Sequence, residues 1–99
     1  MATWAVGLAR GGAWDPRLGL REQELWDEHA AFMDDLVDAG FVRLGGVLWG
    51  GAGAALLVVE AEGEREIEER LAPDPWHERD LLRIAEISRW EILLGDLPQ

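Results

Sequence analysis

The sequence predicts an α+β fold: a four-stranded antiparallel sheet with two helices on one of its faces. Three observations lead there. An alternating strand opens the chain, a long amphipathic helix follows it, and a glycine-rich turn joins two strands in the middle.

Residues 3–9, "TWAVGLA", put Trp4, Val6 and Leu8 on one face and Ala5, Gly7 and Ala9 on the other. The small face permits close approach of another layer. Residues 10–19 are a loop, punctuated by Gly11, Gly12, Pro16 and Gly19, with a turn at Asp15-Pro16. Trp14 is an unusual residue for a plain surface loop. Residues 20–39 are expected to form one long helix. At about 100° per residue, Leu25, Trp26, His29, Phe32, Met33, Leu36 and Val37 fall within an arc of roughly 140°. Asp27, Glu28, Asp34, Asp35 and Asp38 lie opposite, and Gly40 stops the helix. Residues 41–49 and 54–61 read as strands, joined by a hairpin turn at residues 50–53, "GGAG". Residues 64–72 form a shorter helix with Ile67 and Leu71 on its apolar side and Glu66 paired with Arg70. Pro73 ends it. Residues 74–80, "DPWHERD", read as a connection. Residues 82–94 read as a long last strand with a bulge or bend near Ser88 to Trp90.

The order β-α-β-β-α-β is the ferredoxin-like arrangement, in which both helices lie on one face of the antiparallel sheet. The other face needs a cover, and a second copy of the chain is the economical one. At 99 residues, the whole chain, 1–99, is expected to be a single domain near the lower size limit for unaided folding. It is 48% apolar and has no cysteine to staple it. Both points favour a homodimer or a higher oligomer.

Composition narrows the chemistry. There are 20 acidic residues against 9 arginines and no lysine, a net charge of −11. Such a surface repels phosphate backbones and anionic membranes, so neither nucleic acid nor membrane is an expected partner. The first ten residues lack the basic start and apolar core of a secretory signal. With no cysteine, this suits a cytoplasmic protein. Without lysine there is no Schiff base and no phosphate-loop lysine; without cysteine there is no thiolate nucleophile. Tyrosine is absent too, Thr3 is the only threonine, and Ser88, the only serine, has no nucleophile-elbow glycines around it. Acid–base chemistry by His, Asp, Glu or Arg is what remains. His29 and His77 have no ligand spacing, so no metal and no cofactor is expected.

Two stretches carry candidate chemistry. His29 sits inside the apolar stripe of the long helix. It is either a core histidine satisfied by a backbone carbonyl or a pocket acid–base group with a carboxylate partner. Asp74 lies between two prolines in "APDPWHE". It is either a helix-stop turn or a carboxylate held on a stiff backbone to orient an imidazole. Trp76 is either core or a pocket wall. Arg17 and Arg21 flank the start of the long helix, as an anion clamp or as surface partners of Glu22 and its neighbours.

The ordered stretches "WDEHAAFMDDLVDAGFVRLGG", "ALLVVEAE" and "LAPDPWHERDLLRIAEISRWEIL", with "AWDP" before the long helix and "DPWH" after the short one, resemble the YCII-related (YciI-like) proteins. The resemblance runs from Trp4 to about Gly95. It implies a dimeric α/β barrel in which a histidine of the first helix and an aspartate of a D-P motif, here His29 and Asp74, meet in a cleft. The family is similar in fold to muconolactone isomerases and includes a chloro-hydroxyhydroquinone dehydrochlorinase. One departure concerns "GGVL", where Val47 occupies a position that is usually proline in the family. The resulting expectation is a cofactor-independent enzyme with His29 and Asp74 as a proton-abstracting dyad for isomerisation or elimination. Trp14, Trp26 and Trp76 with Arg21 would bind a small-molecule substrate. A non-catalytic ligand-binding or regulatory homodimer, and a purely structural domain, are the competing expectations.

Overall fold

The computed structural model describes residues 1–50 and 54–96. The elements are β1 (Ala2–Arg10), a 3-10 turn (Leu20–Glu22), α1 (Trp26–Asp38), β2 (Val42–Val47), β3 (Ala55–Ala61), α2 (Glu64–Leu71), α3 (Pro75–Glu78) and β4 (Leu82–Arg89). The strands form one sheet in the order β2-β3-β1-β4 with every neighbouring pair antiparallel. This is the expected ferredoxin-like α+β fold. Among the described residues, no helix is long and apolar enough to cross a membrane.

The core follows from the strand alternation. Val6 and Leu8 of β1 share a face with Leu57 and Val59 of β3, with Val6 opposite Leu57 and Leu8 opposite Ala55, and Leu82 of β4 continues that face. Leu36 of α1, Ile67 and Leu71 of α2 and Trp76 of α3 close over it. Two bulges adjust the pattern. In β4, Gly7 pairs with Glu86 but Leu8 pairs with Ile84, so Ala85 is an extra residue. Ile84 and Ile87 are three apart, and only an inserted residue lets both face the core. The bulge therefore lies at Ala85 and not at Ser88 to Trp90. In β2, the extra residue is Arg43. It turns Val42 and Gly45 to the core side and Leu44 away from it. A Cβ on Gly45 would come within 2.7 Å of a Leu57 methyl, so any larger residue here obliges the Leu57 side chain to shift.

Four expected boundaries are corrected. The long helix begins at Trp26, not at residue 20. Gln23, only 4% exposed, accepts the Asp15 N–H at 3.1 Å and donates to the carbonyls of Asp15 and Leu18 at 2.7 and 3.1 Å. The Trp76 indole N–H holds the Glu24 carbonyl at 2.6 Å. Leu25 then takes a left-handed conformation, φ 63°. These ties hold residues 23–25 outside the helix. Second, the "DPWHERD" connection contains α3, because Asp74 caps it and Pro75 occupies its first position. Third, β4 ends at Arg89: Trp90 donates to the Thr3 carbonyl at 2.8 Å, after which β1 has almost no partner left. Fourth, β2 stops at Val47. The expected turn at 50–53 lies mostly outside the described residues, though its flanks meet where the Leu48 N–H reaches the Ala54 carbonyl at 3.3 Å.

Candidate acid–base site

His29 occupies the second turn of α1. Its side chain points with the apolar stripe toward the sheet, where His29 and Leu36 are the buried residues of the helix. Asp74 stands at the α2–α3 junction. Its backbone N–H reaches the Leu71 carbonyl at 3.1 Å, and its Oδ1 accepts the Trp76 N–H at 3.0 Å. Cap geometry thus aims this carboxylate. His29 Nδ1 lies 2.8 and 3.0 Å from the two carboxylate oxygens. The contact anticipated across 45 positions is present.

The contact sets the tautomer. A carboxylate only accepts, so the proton of neutral His29 lies on Nδ1 and the lone pair on Nε2. Among the described residues, nothing hydrogen-bonds Nε2, and it is not a fully buried orphan. His29 lines a cavity of about 430 Å³, whereas Asp74 is not part of that lining. The order in space is therefore carboxylate, imidazole, cavity.

Trp76 is the structural hub. It is fully buried, and its ring stacks on His29 at 3.9 Å and 7°. Trp14 meets Trp76 edge-on at 5.6 Å, and Trp26 tilts against it at 5.7 Å. The Trp76 indole therefore immobilises the imidazole by its face, while the Trp76 backbone N–H orients the carboxylate. Trp14, Trp26 and Trp76 all line the cavity. Val37, Trp49 and Leu18 are exposed at the cavity lining, which explains why Val37 of the helical stripe is not in the core. Val47 also lines the cavity, beside Gly45 and Gly46.

The arginines separate. Arg21 is exposed, stands over the Trp26 ring at 5.8 Å and is not part of the cavity lining. Arg17 pairs with Asp15 at 3.0 Å rather than with Glu22. That pair lowers the Asp15 pKa below its ordinary value and raises that of Arg17. Arg10, which sequence reasoning passed over, lines the cavity. Strand alternation was the signal, because Arg10 shares the face of Val6 and Leu8. Gln23 was missed as well, and nothing in its sequence surroundings marks it. His77 is exposed on α3 and absent from the lining. Among the described residues, no three His, Cys, Asp or Glu side chains converge.

Neither a family model nor a curated protein matches the sequence. Among solved structures, the chain is similar to 5-chloro-2-hydroxyhydroquinone dehydrochlorinase from Burkholderia phenoliruptrix AC1100, solved in complex with 2,5-dihydroxybenzoquinone. Identity is 21%, the TM-score is 0.60, and the match covers 92% of this chain and 94% of the other. That likeness is one of fold alone.

Proposed function

We propose that the chain is a cofactor-independent enzyme of the YciI-like kind that removes a carbon-bound proton from a small cyclic substrate. The observation that carries this reading is the order Asp74, His29, cavity, with the Nδ1 contact at 2.8 Å. His29 Nε2 takes the proton from carbon. The electron pair left behind forms a new double bond. In an elimination, a leaving group such as chloride departs with its bonding pair; in an isomerisation, the imidazolium returns the proton to another carbon. Asp74 stabilises the imidazolium without being protonated itself. The dyad supplies both acceptor and donor, so neither route calls for a cofactor. A positioned base of this kind contributes about 10²–10⁴-fold. The fold likeness to a dehydrochlorinase supports the elimination branch.

The working unit we propose is the whole chain, 1–99, as a homodimer. The sheet face away from the helices carries Leu44 of β2, 54% exposed, opposite Val58 of β3, with the small residues Ala5 and Gly7 one strand further on in β1. A second sheet would bury it.

The test is solvent-deuterium exchange into a panel of lactones, hydroxyquinones and chlorinated hydroquinones, with wild type and His29→Ala side by side. His29-dependent deuterium incorporation or chloride release is expected. Binding of panel members with neither event would replace this reading by that of a non-catalytic ligand-binding dimer.

A further inference from the structure

Arg17, Arg43, Arg65, Arg70, Arg79 and Arg83 each lie against a carboxylate. Arg10 does not. Its partner among the described residues is the face of Trp14, 4.9 Å from the guanidinium carbon to the ring centroid. Among the described residues, Arg21 and Arg89 also lack carboxylate partners, and of the three Arg10 alone lines the cavity. The lining itself contains no Asp or Glu, in a chain where 20 of 99 residues are acidic. Residues 51–53 and 97–99, Gly-Ala-Gly and Leu-Pro-Gln, add no acidic side chain.

These facts bear on the ligand's charge. A net charge of −11 repels anions from most of the surface. A cation has plentiful counter-charge elsewhere on this molecule but none in the cavity lining. An anion finds the reverse: a planar guanidinium with its N–H donors unclaimed by any carboxylate of the described residues, held on an indole face at the end of a core strand. Apart from the His29 imidazole, the remaining walls are mostly indole rings, apolar side chains and glycines, suited to a flat apolar body.

We infer that Arg10 is an anion-binding residue of the cavity, and that the ligand is a flat ring bearing one negative oxygen group, a carboxylate, phenolate or enolate. The inference rests on the proposed use of the His29 cavity and deepens it. With a cation fixed at the oxygen, charge that develops there when His29 takes a proton from an adjoining carbon is stabilised in place.

The test uses tryptophan fluorescence titration with matched probes that differ only in charge: benzoate against benzamide, salicylate against salicylamide, cinnamate against cinnamamide. Wild type binds the carboxylates about tenfold or more tightly than the amides. Arg10→Gln loses that preference with little change toward the amides, and Arg10→Lys keeps part of it. Arg65→Gln removes the same charge from an exposed site on α2 and keeps the full preference. Equal binding of both members of every pair by wild type, an undiminished preference in Arg10→Gln, or no saturable binding of any probe would each overturn the inference. The readout is separate from turnover. Arg10-dependent anion preference without His29-dependent exchange would defeat the catalytic reading alone, and exchange without the preference would defeat this one alone.

Discussion

At the scale of single residues, the tautomer of His29 is the variable on which the chemistry depends. Asp74→Asn changes a pure acceptor into a group that also donates. If the amide turns its NH₂ toward His29, the imidazole lone pair moves to Nδ1 and the proton to Nε2, which disables the base toward the cavity. The expected loss of turnover is about 10²–10⁴-fold, with the fold retained because Asn also serves as an N-cap. Nitrogen NMR checks the point without a substrate: wild type is expected to show the Nδ1–H tautomer, the variant the Nε2–H tautomer. An unchanged tautomer in the variant would remove Asp74 from the orienting role. Trp76 is the other residue on which the site turns. It stacks on the imidazole and holds the Glu24 carbonyl with its indole N–H. Trp76→Ala is expected to cost about 3–5 kcal/mol in a urea melt, for the lost burial and the cavity left behind.

At the scale of elements, the site depends on how the β1–α1 loop is fastened to the α3–β4 turn. Gly11 donates to the Leu81 carbonyl at 2.8 Å, and Gly12 donates to Asp80 Oδ2 at 3.0 Å. Asp80 also grips Arg83 at 2.7 Å, from a left-handed backbone position, φ 60°. This junction positions the loop that delivers Trp14 to the cavity. A Cβ on Gly11 would meet the Asp80 carbonyl oxygen at 2.1 Å, a backbone atom with no freedom to move aside. Gly11→Ala is therefore expected to destabilise by about 1–3 kcal/mol. At Gly46 a Cβ meets nothing within 4 Å, and Gly46→Ala is expected to change stability by no more than about 0.5 kcal/mol. Parallel denaturant titrations of the two variants separate a local clash from a general intolerance of alanine.

At the scale of the whole molecule, charge and the open sheet face govern behaviour. Arg83, and then the Gly12 N–H, push the Asp80 pKa from its ordinary 3.8 down to about 2. The ionised form is thus favoured by folding. Its contribution is complete above pH ~4 and is lost as pH falls toward 2. Asp80→Asn keeps a residue type that tolerates the left-handed conformation, and removes the charge together with one of the two acceptor oxygens that Gly12 and Arg83 use. The stability gap between wild type and this variant is expected to be constant near neutrality and to close between pH ~4 and 2, as followed by thermal melts. A gap undiminished at pH 2 would show that the carboxylate's charge is not its cause. Leu44 tests the proposed dimer. Leu44→Glu places a charge on the sheet face opposite the helices and is expected to give a monomer with an unchanged circular dichroism spectrum, where wild type is expected to sediment as a dimer. Dimers in both would move the interface elsewhere.

The element order, the core face of β1 and the candidacy of His29 and Asp74 were legible from the residues alone. Each is carried by short-range information: period-two alternation, a 3.6-residue stripe, a cap-forming Asp-Pro pair, and the absence of other reactive side chains. The start of α1 was not legible, because Gln23 and the Trp76 indole hold residues 23–25 out of the helix through partners five to fifty positions away. The β4 bulge was misplaced because its position is set by which isoleucines must reach a core that exists only after the sheet has formed. The role separation among the arginines was equally hidden. Arg21 looked closer to the site along the chain, yet it is not part of the cavity lining, while Arg10, exposed at the end of a core strand, is. Local pattern decides which residues face inward. Only the assembled sheet, loop and cap decide which inward groups meet, and that meeting turns one histidine and one aspartate into an oriented pair.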